Sequence, residues 1–407
     1  MDVENIKSLQ VRVQRELVEG LTPFWQTQVL DYQNGGFIGR MENDRTIDRR
    51  AVKGLILNTR LLWTYSALYQ FLGEDSLSTL AHRAFNYLVD HFVDPENGGA
   101  FWMLDYQGNP VDDKKKIYGQ AFFIYALAEY YKIVQEKQLL DLATHFFDMI
   151  EGYAFDSKNG GYFEAFERDW DLAEDLRLGA ADMNEKKSMN THLHLLEAYT
   201  NLFRVLKHKS LEQKLAEMIK IFTSFIIDPD SFHFRLYFDE EWQPKSNLLS
   251  FGHDIEGSWL LYEAAEVLGM NELEIKIKEY SINMANAVLQ RGIDRDGGLF
   301  YEANASDIVD TDKHWWPQAE AVVGFLNAFE ISQDIKFLNA AIKSWNFIEK
   351  HIIDKKNGEW FWRVSKERKP YQNAPKVSEW KSPYHNCRAC LEILRRTEKI
   401  LKSQNLE

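Results

Sequence analysis

Long apolar segments alternate with short glycine-containing turns along the whole chain. Within the segments, apolar residues recur every three or four positions, the spacing of an α-helix with a buried face. Three segments show it well: Leu55, Leu57, Leu61, Leu62, Tyr65, Leu68 and Tyr69; Phe122, Tyr125, Ala126 and Tyr130; and Leu193, Leu196, Tyr199, Leu202 and Phe203. The pattern predicts a largely helical protein.

The turns form a repeat of their own. A signature of Asn or Asp, usually followed by glycine and an aromatic residue, recurs six times at intervals of 61 to 71 residues, at Asn34, Asn97, Asn159, Asp230, Asp296 and Asn357. Asn-Gly and Asp-Gly supply the positive φ that tight hairpin turns need. The alternation of apolar and polar residues in 161–166 is typical of a short strand. Each repeat therefore predicts helix, short β-hairpin and helix.

The spacing of the turns also predicts the architecture. An N-terminal helix at about residues 4–30, five helix pairs and a last helix at about residues 384–402 give twelve helices. Six pairs are typical of a closed all-α (α/α)6 barrel. An open solenoid would need polar capping repeats, and the terminal segments are no more polar than the others. No Pro-, Gly- or Ser-rich linker is visible, so we expect one barrel domain over residues 1–407.

Polar and aromatic residues collect where one helix of each repeat begins, just after its turn. Equivalent positions of a six-fold barrel lie at the same end, so these side chains are expected to converge on one pocket. In chain order they are Asn58 and Arg60; Tyr118 and Gln120; Asn190, His192 and His194; His253, Asp254, Glu256 and Trp259; His314, Trp315, Trp316, Gln318 and Glu320; and Glu379, Trp380, Tyr384, His385 and Asn386.

Composition and charge narrow the possible partners. The 407 residues carry 48 basic and 62 acidic side chains, a net charge of −14 that disfavours nucleic acid and anionic lipid. No apolar run reaches the length of a membrane span, and the N-terminus resembles no secretory signal. We therefore expect a cytoplasmic monomer. Its 12 Trp and 26 Phe would suit a sugar-binding cleft as well as a core.

Other chemistries find little support in the sequence. Cys387 and Cys390 have the spacing of a zinc or redox pair, but no second cysteine pair completes a four-thiolate site. Neither a P-loop nor a GxGxxG motif is present. No metal and no cofactor are therefore predicted. The lysine run 114–116 is interpreted as a solvated loop.

Several segments resemble the N-acylglucosamine 2-epimerase superfamily over essentially the whole chain, most closely its cellobiose-acting branch. They are residues 57–63 (LNTRLLW), 190–199 (NTHLHLLEAY), 252–256 (GHDIE), 314–320 (HWWPQAE) and 379–386 (EWKSPYHN). The resemblance implies an (α/α)6 barrel that interconverts sugars epimeric at C2 without metal or nucleotide. The implied reaction inverts C2 at the reducing end of a β-1,4-linked disaccharide, cellobiose to glucosyl-mannose.

The resemblance also implies roles for individual residues. His253 and His385 would be the acid/base pair, while Arg60 and His194 would contact the reacting carbonyl. Sugar-stacking platforms would be Trp316 and Trp380, with support from Tyr118, Asn190 and Glu256. From their places in the mouth cluster, Trp259, Trp315 and Glu320 are also predicted to bind substrate.

The chemistry of epimerisation fits these residue types. Opening the sugar ring places the C2 proton next to an aldehyde, and its removal gives an enediolate that a cation can stabilise. Inversion needs a base on one face and an acid on the other, for which two histidines are suited. Alternatives remain open: a mannose 2-epimerase, an aldose–ketose isomerase, a glycoside hydrolase using two carboxylates, or a sugar-binding protein without activity.

Overall fold

Six helices, all buried at their N-terminal ends, form an inner set. The computed structural model describes residues 3–404, and the inner helices in that range are α2 (Leu55–Leu72), α4 (Ile117–Val134), α6 (Met189–Val205), α8 (Phe251–Leu268), α10 (Trp315–Ser332) and α12 (Tyr384–Gln404). In α2, for example, every residue from Leu55 to Leu68 is buried. A helix that is apolar on all sides is expected inside a protein rather than on its surface.

Six further helices form an outer set, and most of them pass into a π-helical turn. They are α1 (Val3–Arg15, continued by Glu16–Leu21 and Thr22–Thr27), α3 (Asp75–Tyr87 and Leu88–Phe92), α5 (Lys137–Met149 and Ile150–Ala154), α7 (Lys209–Ile221 and Phe222–Ile226), α9 (Asn271–Arg291) and α11 (Ile335–Phe347 and Ile348–Ile352). These helices bury one stripe only; in α3 it includes Leu77, Leu80, Ala81 and Ala84. One apolar stripe is what a helix needs to cover an inner ring.

The inner helices close into a ring. Each packs against the next in the order α2, α4, α6, α8, α10 and α12, and α12 packs back against α2. The outer helix α1 also packs on α12, which joins the two ends of the chain. The predicted (α/α)6 barrel of twelve helices is thus confirmed for the described residues. No helix in this part of the chain has the length and apolar character needed to cross a bilayer.

Short strands lie between the helices. They are β1 (Arg40–Met41), β2 (Ile47–Asp48), β3 (Lys53–Gly54), β4 (Met103–Leu104), β5 (Pro110–Asp112), β6 (Lys115–Lys116), β7 (Ala165–Phe166), β8 (Lys187–Ser188), β9 (Tyr237–Phe238), β10 (Leu249–Ser250), β11 (Glu302–Ala303), β12 (Ile308–Asp310), β13 (Lys313–His314) and β14 (Arg363–Val364). Pairs β1–β2, β4–β5 and β11–β12 are antiparallel hairpins within a repeat.

Other strand pairs connect neighbouring repeats, which the sequence did not predict. The strand before an inner helix pairs with a strand that follows the next turn, as β3 with β4, β6 with β7, β8 with β9, β10 with β11 and β13 with β14. An isolated bridge between Met41 and Val377 joins the first repeat to the last. Each of the six predicted turns is itself closed by a single bridge, the first between Leu30 and Phe37. The strands therefore fix each repeat to its neighbour around the ring.

A buried lysine holds five of the six turns. Its ammonium reaches an aspartate that opens the turn, and the ion pairs are Lys53–Asp31 (3.0 Å), Lys115–Asp94 (2.8 Å), Lys187–Asp156 (2.7 Å), Lys313–Asp294 (2.8 Å) and Lys376–Asp354 (2.9 Å). In the fourth repeat, Arg235 contacts Asp228 at 2.7 Å instead. The same aspartates accept backbone N–H groups of the turn, for example those of Gln33 and Asn34 on Asp31.

The lysine run 114–116 was wrongly interpreted as a solvated loop. The side chains of Lys115 and Asp94 are both 0% exposed, and the ammonium of Lys116 bonds to the carbonyls of Arg177 and Leu178. Although burial acts to raise it, bonds from Arg168 and Lys115 hold the pKa of Asp94 well below its ordinary value. Charge alone misled the prediction, because two of the three lysines lie in strand β6.

We expect Lys115→Met to lower the free energy of unfolding by about 3 kcal/mol, since Asp94 would keep only Arg168 as counter-charge in a buried site. The matched control is Lys114→Met, because Lys114 is 30% exposed and lies 3.7 Å from Glu167; such a pair contributes at most about 1 kcal/mol. Urea unfolding at pH 7, followed by circular dichroism, measures both. Equal losses in the two variants would contradict this account of the turn.

Candidate active site

A cavity of about 380 Å³ opens where the inner helices begin. Ten of the twelve predicted site residues line it: Arg60, Tyr118, Asn190, His194, His253, Glu256, Trp315, Trp316, Trp380 and His385. The sequence did not single out Trp362, Tyr301 or the segment 178–182, which also line the cavity, and it left His314 without a role. Residues 178–182 lie in a loop, so helical spacing could not predict that they line the cavity.

Four histidines line this cavity, and in three of them, His194, His253 and His385, Nδ1 contacts a neighbouring side chain. Nδ1 of His194 lies 2.8 Å from Glu197, that of His385 lies 2.8 Å from Glu320, and that of His253 lies 2.8 Å from the Ser250 hydroxyl.

An ionised carboxylate only accepts hydrogen bonds, so Nδ1 of His194 and of His385 carries the proton. The Nε2 atom of each ring is then free of hydrogen and available as a base.

The rings of His253 and His385 lie on a common neighbour. Their centroids are 4.7 Å and 5.4 Å from the Trp316 ring. The sequence-based hypothesis would have failed had packed core separated the two rings, and instead both line one cavity. The indole that contacts both rings offers an apolar platform for the C–H face of a sugar.

Burial keeps the three imidazoles neutral. It lowers the pKa of His253 to about 3, with a further contribution from His194. It also lowers the pKa of His194, in spite of Glu197. For His385, burial and the charges of Arg60 and Arg388 hold the pKa well below 6.5. At neutral pH these rings are therefore proton acceptors.

Arg60 brings a cation to the cavity without a carboxylate partner among the described residues. Its guanidinium donates to the Tyr118 hydroxyl (2.9 Å) and to the carbonyl of Trp380 (3.4 Å). It lies over the rings of Phe122 and Tyr384, at 4.5 Å and 4.8 Å from their centroids. A positive charge that no acid neutralises is suited to stabilise negative charge that develops on a substrate.

Two predicted substrate-binding residues, Glu320 and Trp259, lie beneath the cavity and do not line it. Glu320 accepts from Nδ1 of His385, from the indole N–H of Trp259 (3.1 Å) and from Arg388 (2.8 Å). His385 covers Glu320 from above, while Trp259 lies eight residues into its helix and so too deep. In the structure Glu320 holds His385 and Trp259 holds Glu320, and substrate contact by either residue stays a prediction.

Several other residues of the mouth cluster face outward to the turns. Gln120 bonds both backbone groups of Ala100 (2.8 and 2.9 Å). Equivalent bonds join His192 to Tyr162 (3.0 Å), Asp254 to Phe234 (2.7 Å) and Gln318 to Leu299 (2.7 Å). All four lie three residues after the first residue of their helix. A difference of two positions turns a helical side chain by more than half a circle, so these residues secure turns while Arg60 and His194 face the axis.

Sequence reasoning missed Arg388, which is only 2% exposed at the centre of the barrel. Its guanidinium donates to Glu256 (2.5 Å), Glu320 (2.8 Å), Glu197 and the Tyr384 hydroxyl. One signal could have found it, because Arg388 follows His385 by one helical turn and lies between Cys387, Ala389 and Cys390. An arginine among the apolar residues of a buried helix is almost always paired, so a buried acidic partner could have been expected.

One cluster near the cavity has the composition of a metal site. Ligand atoms of Glu256, Glu320 and His385 lie within 4.8 Å of one another. However, Arg388 donates to both carboxylates, and Nδ1 of His385 bonds to Glu320. A guanidinium already supplies the positive charge that these acids require, so the donor set does not fit a cation. The absence of metal and cofactor stays a prediction.

Comparison with known proteins places this chain in a family of isomerases. The model of the N-acylglucosamine 2-epimerase (GlcNAc 2-epimerase) family matches residues 36–389. The chain belongs to that family, and it is a sugar 2-epimerase.

Individual relatives cover nearly the full length. A cellobiose 2-epimerase of Bacteroides fragilis is 44% identical over 95% of this chain and 98% of its own. One of Dictyoglomus turgidum is 39% identical over 96% and 100%. The solved cellobiose 2-epimerase of Bacillus thermoamylovorans superposes with a TM-score of 0.92 at 37% identity, covering 96% of this chain and all of that one.

Histidine burial predicts a loss of stability in acid. The pKa of His253 is about 3 in the folded protein and about 6.5 when unfolded, so acid protonates the unfolded state first. The contribution of His253 to the free energy of unfolding is therefore highest above about pH 6.5, and it decreases as the pH falls below that value.

In His253→Asn, the free energy of unfolding should fall between pH 7 and pH 5 by about 2 kcal/mol less than in the wild type. The control is His82→Asn, because His82 is exposed. Urea titrations at both pH values measure the difference, and identical pH dependence in wild type and His253→Asn would contradict it.

Proposed function

We propose that this epimerase inverts C2 of the reducing-end residue of a β-1,4-linked disaccharide, cellobiose to glucosyl-mannose. One observation carries the proposal. Two neutral histidines, His253 and His385, line one cavity, and both rings contact the same indole, that of Trp316. The choice of disaccharide is supported by the names of the relatives, which are cellobiose 2-epimerases.

The reaction begins with ring opening, which moves the O1 proton to O5 and gives the aldehyde. The C2 proton is then acidic, because the electron pair of the broken C–H bond is delocalised onto O1 as an enediolate. Arg60 lies in the cavity without a carboxylate partner among the described residues and would face that charge. Nε2 of His194 lies on the same wall and would contact O1 or O2.

Nε2 of His385 first takes up a proton from solvent; His253 then removes the C2 proton of the gluco sugar, His385 delivers its proton to the opposite face, and His253 afterwards releases its proton to solvent. The roles reverse for the manno sugar. Lowered pKa values make both neutral rings available as bases, and they make the protonated form of either a strong acid. Trp316 and Trp380 hold the sugar by its apolar face, with Tyr118, Asn190, Glu256 and Trp315 as polar or aromatic contacts along the wall.

The alternatives fit the cavity less well. A hydrolase needs two carboxyl groups free to act on the glycosidic bond, whereas Glu256 and Glu320 both bind Arg388. A mannose 2-epimerase or an aldose–ketose isomerase would use the same histidines, so substrate and product decide between them. A sugar-binding protein without activity has no use for paired bases. Cytoplasmic location and the monomeric state stay predictions.

Turnover of cellobiose in D₂O is expected to place one deuterium at C2 of the glucosyl-mannose product, because the abstracted proton exchanges with solvent. NMR of the anomeric region and mass spectrometry measure position and extent. Glucose release would indicate hydrolysis, and a ketose labelled at C1 would indicate isomerisation. Parallel reactions with mannose, lactose and mannobiose determine the sugar preference.

The variants His253→Asn and His385→Asn should each lose activity by a factor of about 10²–10⁴, the usual contribution of one acid/base group. Asn is similar in size and does not titrate, so the fold should remain. Initial rates on cellobiose and circular dichroism are the measurements. The exposed His82 is the control position, and His82→Asn should retain full activity. Near-wild-type rates in either cavity variant would remove that residue from the mechanism.

A further inference from the structure

A single guanidinium lies below the candidate active site and contacts three acids from three helices. Nη2 of Arg388 donates to Glu256 and Glu320. Nη1 donates to Glu197, which also accepts from the Tyr384 hydroxyl. All five side chains are buried, so the cluster joins α6, α8, α10 and α12 at the barrel axis.

Two of these acids are the partners of the cavity histidines. Glu197 uses one oxygen for Arg388 and the other, at 2.8 Å, for Nδ1 of His194. Glu320 uses one oxygen for both Arg388 and Nδ1 of His385, at 2.8 Å each. Arg388 is therefore connected to each of these two rings through one glutamate, and Arg388 itself does not line the cavity.

The contact with Arg388 influences whether these carboxyl groups are ionised. A buried acid without a counter-charge takes up a proton. Burial raises the pKa of Glu197, but Arg388 and His194 more than offset it and lower it to about 2. Burial raises the pKa of Glu320, and burial together with Glu320 raises that of Glu256, while Arg388 acts to lower both values. Loss of the guanidinium would thus protonate Glu197 and Glu320.

Protonation of these acids would change the histidines as well. A carboxylate accepts the Nδ1–H bond, whereas a carboxylic acid can donate its proton to Nδ1. The neutral ring would then carry its hydrogen on Nε2, the atom that faces the cavity. In that tautomer neither His194 nor His385 could act there as a proton acceptor.

We propose that Arg388 is a positioning residue of this enzyme: by ionising and orienting Glu197 and Glu320 together, it fixes His194 and His385 in the tautomer whose Nε2 is free to accept a proton. The effect on turnover rests on the proposed function, while the tautomers do not depend on any substrate. Lysine cannot replace it, because one ammonium lacks the planar fork that reaches several carboxylates at once.

A second cavity gives access to Arg388 from the opposite end of the barrel. Its volume is about 470 Å³, and its walls include Trp63, Glu197, Trp259 and Arg388. Nε of Arg388 has no hydrogen-bond partner within the described residues. A small cation could reach the position of the guanidinium by this route when the side chain is removed.

The experiment compares R388K and R388A with R396K and R396A. Arg396 lies on the same helix, is 5% exposed and binds Glu330, Glu392 and Asn327 (3.1 Å), so it is a buried, paired arginine remote from the histidines. Rates on cellobiose give kcat and KM. Selective ¹⁵N-histidine labelling and ¹H–¹⁵N correlation spectra at pH 7 report which ring nitrogen carries hydrogen.

We expect R388K to lower kcat by about 10–100-fold, the usual effect of removing an orienting partner, with little change in KM. The spectra should show hydrogen on Nδ1 of His194 and His385 in the wild type and on Nε2 in R388K. Guanidinium at non-denaturing concentration should restore part of the activity of R388A and the Nδ1–H signals. The Arg396 variants should lose stability while keeping kcat and both tautomers.

Unchanged tautomers in R388K would overturn the proposal, whatever its rate. Equal losses of kcat in the Arg388 and Arg396 variants would also overturn it, because both would then reflect general destabilisation. If R388A does not fold, R388K and its spectra still decide. If the wild type does not epimerise cellobiose, the proposed substrate fails, and the spectra separately test the role of Arg388.

Discussion

A buried charge must meet an opposite charge, and this constraint organises the centre of the barrel. Three glutamates and one arginine from four helices share a buried site. Such a cluster is costly to assemble and more costly to break, so its members keep fixed positions. Two cavity histidines are held in place by this cluster, because Glu197 and Glu320 accept hydrogen bonds from the rings of His194 and His385.

The repeat explains how a symmetric frame carries an asymmetric site. Four inner helices, α4, α6, α8 and α10, begin with a side chain that secures the turn outside. In α6 and α8 the residue two positions later, His194 or Glu256, lines the cavity. The turns have similar residues in most repeats, since each turn has the same structural role. The axial residues differ, as Arg60, His194 and Glu256 do, because each contacts a different part of one shared centre. Buried lysines hold the turns, and inter-repeat strands fix each repeat to the next, so the axial residues keep their positions relative to one another.

Much of the fold could be predicted because its signals are local. Glycine turns and helical spacing each depend on a few consecutive residues, and together they gave the number and order of the helices. The buried state of Lys115 could not be predicted from the run of three lysines, since it depends on Asp94 from the preceding turn. Arg388 was missed for the same reason: its three acidic partners lie 68 to 191 residues away in sequence. Helical spacing placed Glu320 and Trp259 near the cavity, but it could not show that other side chains lie between them and the cavity.

The strand pairs between repeats have a consequence for the connectivity of the chain. Because Met41 pairs with Val377 and α1 packs on α12, the last repeat meets the first as any repeat meets its neighbour. The ring thus has no preferred starting point in three dimensions, although the polypeptide must begin somewhere. Within the described residues, the contacts between repeats therefore depend on the order of the repeats around the ring, whichever repeat comes first along the chain.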